Sequence, residues 1–155
     1  MEKEIKIRPA RPIDAVNTML SFRTLGYNPS LAGLFCQVLI MLSCIPGFWK
    51  LTYLIWPRIS YQLHVVEIGG KYAGFGYLQG GSWRDRIGVA RCLKPECRGK
   101  GIGYKLLDLQ IKEAKKRCVD YLTDTAALDN PANWKSVEKR GFKPFRTMYA
   151  LDLRE

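Results

Sequence analysis

Three glycines alternate with other residues in Arg98-Gly99-Lys100-Gly101-Ile102-Gly103. An apolar run ends just before them at Leu93, and an amphipathic run follows from Tyr104. Alternating glycines where a strand gives way to a helix let the backbone approach something closely. The first turn of a helix adds unpaired N–H groups and the positive end of its dipole. The chemistry such a junction suits is the holding of a phosphate or pyrophosphate. Arg98, Lys100 and Lys105 bring positive charge to the same place. A Walker loop, Gly-x-x-x-x-Gly-Lys-Ser/Thr, has no match. A dinucleotide loop, Gly-x-Gly-x-x-Gly starting at Gly99 and Gly101, needs a glycine where the chain has Tyr104. A third pattern, Arg/Gln-x-x-Gly-x-Gly/Ala, is met by Arg98, Gly101 and Gly103.

Other reactive groups are sparse. Cys97 sits beside Arg98 and a helix start, which favours its thiolate. No histidine accompanies it, because His64 is alone and distant in sequence. The cysteines number five, with no Cys-x-x-Cys pair and a single histidine, so a zinc site is not expected. Reduced cysteines in a cytoplasmic protein are the simplest reading. Cys92 and Cys118 read as small core residues, and His64 as packed on its strand.

The elements that must position the loop follow from periodicity. Glu4 to Arg8 alternates as a short strand. Pro12 and Asp14 open a helix to about Phe22, with Val16, Met19 and Leu20 as its apolar stripe. Gly26 to Ser30 is a turn, and Ser30 can cap the apolar segment after it. Tyr61 to Ile68 and Tyr72 to Leu78 form a hairpin about Gly69-Gly70-Lys71. A turn at Gly80 to Asp85 leads to a strand from Ile87 to Leu93. After the glycines, Leu106, Leu107, Gln110, Ile111, Ala114 and Cys118 follow helical spacing. Lys105, Asp108, Lys112, Glu113 and Lys116 fill the opposite face. Tyr121 to Thr125 is a short buried strand. Asp129 or Asn130 caps a last helix, with Pro131 in its first turn and Gly141 past its end. Phe145 to Leu153 closes the chain as a strand. The order is β-α-α-β-β-β-α-β-α-β, an α/β (α+β) domain over residues 1–155 with a mixed sheet and helices on both faces.

The segment Leu93-Lys-Pro-Glu-Cys-Arg-Gly-Lys-Gly-Ile-Gly103 resembles the acyl-CoA loop of the GNAT N-acetyltransferase superfamily, Val-x-Pro-x-x-Arg-Gly-x-Gly-Ile-Gly. Downstream, Asn130, Glu138, Lys139, Gly141 and Phe142 are similar to the family's Asn-x-x-Ala/Ser…Glu-Lys-x-Gly-Phe motif. The opening "KIRPARPIDA" is also similar to the family's, and the likeness is weakest from Thr24 to Ser60. The resemblance implies a mostly antiparallel central sheet of about six or seven strands. It implies acetyl-CoA as cosubstrate, no metal, and direct transfer of an acetyl group to an amine. Gly99, Lys100, Gly101, Ile102, Gly103, Tyr104 and Lys105, with Arg98, would hold the cofactor's phosphates. Arg91, Cys92 and Leu93 would pair with its pantetheine arm, and Asn130 would contact it from the neighbouring strand end.

The usual acid and base are missing. Many members protonate the leaving thiolate with a tyrosine four residues before the motif glycine, and that place holds Val137. A glutamate used as base by some members falls at Thr125. Asp124, Glu67 and Tyr149 are weak substitutes, and no catalytic residue is assigned. Arg91 shares a strand face with Ile87, Val89 and Leu93. The resemblance implies a bulge that turns it outward; otherwise it points into the cleft toward an acidic substrate.

The net charge of +11 predicts attraction to anions. Its basic residues follow the wet helix face and the loop and are not interleaved with exposed aromatics, which argues against nucleic acid. A non-catalytic module of the same fold, acting on RNA, a protein or a membrane surface, stays open as the second class. Residues 32 to 49 are uncharged and near the length of a membrane span, but Pro46-Gly47 interrupts them. Residues 31–57 are expected to wall the acceptor pocket. They also suit a homodimer contact or docking on a membrane surface.

Overall fold

In the first unit the alternating run after Glu4 becomes β1 (Ile5–Pro9), which pairs antiparallel with β2 (Tyr61–Ile68). β2 turns at Gly69-Gly70 into β3 (Lys71–Gly80), and β3 pairs antiparallel with β4 (Arg86–Leu93). β5 (Tyr121–Asp124) joins β4 in parallel, giving the order β1-β2-β3-β4-β5. The computed structural model describes residues 4–23, 38–55, 61–80, 86–125 and 130–144. Among these the sheet has five strands against the expected six or seven. The expected strand from Phe145 to Leu153, Tyr149 on it, and the Gly26 to Ser30 turn lie outside the described residues.

Helices cover both faces, as the order of elements required. On one face, Leu63, Val65, Phe75 and Tyr77 pack with Leu39, Ile40 and Cys44, and Cys92 joins their edge. On the other, Val66 and Ala73 pack with Ile102 and Leu106 of α3 (Ile102–Lys115). α3 buries Leu107, Gln110 and Ala114 as well, as its 3.6-residue spacing predicted. Cys118, expected in this core, is exposed: the helix ends before it, and it takes a left-handed φ of +51°.

α1 (Ala15–Arg23) is rotated from the expected orientation. Val16 and Leu20 are exposed, whereas Asp14 and Thr18 are buried. An ion pair sets this rotation. Arg8 donates to both carboxylate oxygens of Asp14, at 2.7 and 3.0 Å, and also pairs with Glu67. Asp14 accepts from the Arg11 backbone at 2.7 Å, which closes the turn Pro12–Asp14 ahead of the helix. Ser21, farther along, accepts from the Tyr72 hydroxyl at 3.2 Å. A polar face therefore meets the sheet, and the apolar stripe meets water.

The apolar segment is not one helix. Residues 38–42 are helical, residues 43–47 turn, and α2 (Phe48–Ile55) follows. The break falls at Pro46-Gly47, where Gly47 takes φ +82°. Val38, Met41, Ile45, Leu51 and Leu54 are exposed. No helix among the described residues is long and apolar enough to cross a membrane.

The chain divides into two compact units, Met1–Thr125 and Ala126–Glu155. The second contains α4 (Pro131–Glu138), capped by Asn130, whose Oδ1 accepts from the Asn133 backbone at 3.2 Å. Pro131 stands in its first turn, and Gly141 follows its end with φ +82°.

Candidate active site

β4, the glycine loop and α3 form one continuous strand–loop–helix. After Leu93 the chain makes a short turn, Pro95–Cys97, and then the loop. Gly99 and Gly101 both take left-handed φ, +74° and +71°. A side chain at either costs about 1 kcal/mol or more in that conformation. A Cβ at either would meet nothing within 4 Å, so internal packing does not demand these glycines. Open space remains above them, in front of helix amides. Gly101 is the N-cap of α3 and has no side chain to bond the first N–H groups. Gly103 differs: its φ is not left-handed, and a Cβ there would make ordinary contact with Leu93 at 4.0 Å.

Charge surrounds this opening. Arg98, Lys100 and Lys105 are exposed. Arg98 Nε donates to the Leu93 carbonyl at 3.0 Å, and Lys100 Nζ to the Glu96 carbonyl at 3.1 Å. Their heads lie along the loop backbone. An open left-handed cradle, an uncapped helix start and flanking cations together fit a pyrophosphate.

Among the described residues β4 and β5 pair from Arg86/Tyr121 to Val89/Asp124. β4 runs four residues on, Ala90 to Leu93, paired with β3 through Leu93. This stretch holds Arg91, Cys92 and Leu93, the residues expected to pair with a cofactor arm. The Ala90 carbonyl there accepts from Gln110 Nε2 at 3.0 Å.

Arg91 follows neither expectation. The β3–β4 register is unbroken from Gly74/Leu93 to Gly80/Ile87, so no bulge turns Arg91 outward. The sheet's irregularity lies instead between Val66 and Glu67 in β2. The Arg91 side chain is 7% exposed and pairs with Asp124 at 2.5 Å, so it does not face an acidic substrate. It also donates to Gln110 Oε1 at 3.5 Å. Gln110 itself bonds the carbonyls of Tyr77 and Ala90. Strand alternation put Arg91 with Ile87, Val89 and Leu93 on a buried face, and it is buried there; its polar partners, Gln110 and Asp124, were missed. The signal was three polar residues, Arg91, Gln110 and Asp124, standing in patterns that are otherwise apolar.

The substitutes for a base fare poorly. Glu67 lies at the β1–β2 pair, two strands from β4. The hydrogen bond from Arg8 holds its carboxyl below the usual range, which makes it a weaker base. Asp124 is committed to Arg91. Thr125 follows β5 and is exposed, and Val137 lies within α4. Cys97 packs on the Val66–Ile102 cluster. His64 is buried, with its pKa lowered by burial, beside Glu113 and Arg117 at the far end of α3 from the loop. Among the described residues no group of three or more His, Cys, Asp or Glu could hold a metal.

The chain belongs to the GNAT acetyltransferase family: the family's acetyltransferase (GNAT) domain matches residues 60–144. It is therefore an acyltransferase by family. Solved structures share the fold. A putative acetyltransferase from Salmonella typhimurium, with its cofactor acetyl-CoA, is 19% identical with a TM-score of 0.68, over 90% of this chain and 79% of that one. An N-acetyltransferase from Staphylococcus aureus Mu50 is 23% identical with a TM-score of 0.66, over 90% and 84%. An aminoglycoside N-acetyltransferase in complex with CoA is 11% identical with a TM-score of 0.67, over 99% and 97%. No curated protein matches the sequence.

Proposed function

We propose that this protein moves an acetyl group from acetyl-CoA directly to an amine. The observation that carries the reading is the pair of left-handed glycines with open space above them at an uncapped helix start. The amides of Gly101 to Gly103 bind the pyrophosphate, and Arg98, Lys100 and Lys105 neutralise its charge. The β4 segment from Ala90 to Leu93 takes the pantetheine arm beside it. The bound donor supplies an acyl group activated as a thioester. The acceptor nitrogen forms its bond to the carbonyl carbon as the carbon–sulfur bond breaks, and the amine's surplus proton balances the departing thiolate. A backbone N–H of β4 near Leu93 polarises the carbonyl oxygen. With Val137 in the tyrosine place and Asp124 and Glu67 engaged by arginines, water carries the proton. The acceptor is an amine on a small molecule, a peptide or a protein.

Isothermal titration with acetyl-CoA and with free coenzyme A, alongside Gly101→Asp, tests the reading. Micromolar binding that the variant loses supports it and opens an amine-acceptor screen. A folded protein that binds neither ligand would sink it. That outcome would favour a non-catalytic module of the same fold, to which the absent tyrosine at Val137 already points.

A further inference from the structure

His64 is the chain's one histidine, and nothing in the proposed reaction uses it. It stands on β2 between Pro9 of β1 and Gly76 of β3, its partners across the sheet. Strand alternation puts it on the face of Val66, which packs with α3. The helix lies close there: a Cβ on Gly76 would stand 2.7 Å from Leu106 and 3.0 Å from Gln110 Nε2. His64 is 4% exposed, and its Nδ1 has no hydrogen-bond partner. The end of α3 supplies the charges around it. Glu113, in the last turn, pairs with Lys116 at 2.7 Å. Arg117 donates to Gln62 Oε1, two residues before His64 on the same strand face. The Arg117 guanidinium also covers the Trp49 ring at 4.5 Å. Pro9 and Gly76, the neighbours from the sheet, bring no charge.

We propose that His64 is an acid-sensitive latch: uncharged, it lets the end of α3 close on β2, and protonated, it loosens that end from the sheet. A buried polar atom without a partner calls for an explanation. A neutral imidazole bears an unpaired nitrogen at modest cost, whereas a buried imidazolium must be paired or reach water. Glu113 is the carboxylate near it, and Lys116 already bonds one of its oxygens. Arg117, also near, repels a second cation. Burial lowers the His64 pKa most; Glu113 raises it, and Arg117 lowers it again. Where the end of α3 opens, water reaches the ring and restores an ordinary histidine, with a pKa of about 6.5. The closed form therefore binds a proton less readily than the open one. Its stability is fully present above about pH 6.5 and is lost as pH falls toward the folded value. Asp14 and Glu67 act in a separate, lower window, because they are carboxylates with depressed values.

The test follows the whole chain by proton NMR and amide exchange. A single histidine gives a single imidazole Hε1 signal, so its titration belongs to His64. The expected midpoint lies below the ordinary histidine value of about 6.5. Exchange protection at Glu113 to Arg117, corrected for the intrinsic rate, is expected to fall about fivefold between about pH 7 and pH 5.5, near the most that one proton site allows. Protection at Ile102 to Leu106, the other end of α3, changes by less than about twofold. His64→Gln takes up no proton in this range, and its protection at Glu113 to Arg117 stays within about twofold across it. Melting curves establish that the variant is folded, and the wild-type midpoint and exchange decide without it. A midpoint at or above about pH 6.5, protection that does not follow pH, or the same pH dependence in a folded His64→Gln would overturn the latch.

Discussion

Gly101 separates two reasons for a glycine, backbone conformation and close approach of a ligand. It stands at φ +71° and ψ 0°, and a Cβ there meets nothing within 4 Å. Gly101→Ala carries the left-handed penalty of about 1 kcal/mol. For a domain of this size that lowers the melting temperature by about 2–4 °C. Asparagine accepts the left-handed region more readily, so Gly101→Asn melts closer to wild type. Both variants place a side chain in the space where the pyrophosphate would sit. A displaced phosphate loses charge-assisted hydrogen bonds worth about 1.5–3 kcal/mol each. One such bond corresponds to about a ten- to hundredfold rise in Kd. The assay is a melting curve paired with a coenzyme A titration on each variant. Gly101→Asn is expected to keep its stability and lose at least about tenfold in affinity. Coenzyme A bound by Gly101→Asn as tightly as by wild type would refute the reasoning. Glycine would then be needed only for its φ, and no ligand would approach there.

Three further outcomes are expected. Gly74→Ala drives a Cβ to 2.2 Å from the Cys92 carbonyl oxygen at φ +154°, a clash with backbone. It should destabilise by about 3 kcal/mol or more, read from urea unfolding; an unchanged midpoint would show that β3 and β4 can separate there. Arg8→Met leaves the Asp14 carboxylate without its guanidinium and should cost about 3–5 kcal/mol. Burial alone would raise the Asp14 pKa, but hydrogen bonds from Arg8 and the Arg11 backbone bring it below the ordinary value; Glu67 is lowered by its bond from Arg8. Depressed folded values mean that this stability is present above the ordinary carboxylate range and is lost as pH falls through the folded values. Urea midpoints should therefore drop from about pH 5 to pH 3 in wild type, with a shallower slope in Arg8→Met; equal slopes would contradict the pairing. Asn130→Ser keeps an N-cap for α4 and should melt near wild type, whereas Asn130→Ala loses about 1 kcal/mol. If Asn130 also contacts the donor, Asn130→Ser binds acetyl-CoA more weakly than wild type, and unchanged titration would leave it a cap alone.

What could be read from sequence here was local, and what could not was paired across distance. The hairpin strand Tyr61–Ile68, its Gly69-Gly70 turn, and the sequence from Leu93 through the loop into α3 all depend on neighbours within a few residues. Alternation, turn chemistry and glycine spacing carry that information directly. α1 failed because its rotation is decided elsewhere. Val16, Met19 and Leu20 make a fair apolar stripe. Yet Arg8 holds Asp14 on one side and Glu67, 59 residues away, on the other, and this pins the polar face inward. Arg91 failed in the same way. Its face was read correctly, and a charge on a buried face suggested a bulge or a cleft. A third resolution, a partner 33 residues on in Asp124 with Gln110 between, needs the fold before it can be seen. Arg91 stood in an apolar pattern and Arg8 in the polar phase of its strand with Lys6, yet each is buried against a carboxylate on another element. A buried charge is stable only when paired, so each such residue predicts an opposite charge on whichever element the sheet brings beside it. Here that pairing falls at the two ends of the sheet's order, one at β1–β2 and one at β4–β5. The first turns a helix against the core, and the second ties β4 to β5 beside Cys92 and Leu93. The place of the family's tyrosine holds Val137, and the candidate Tyr149 lies outside the described residues.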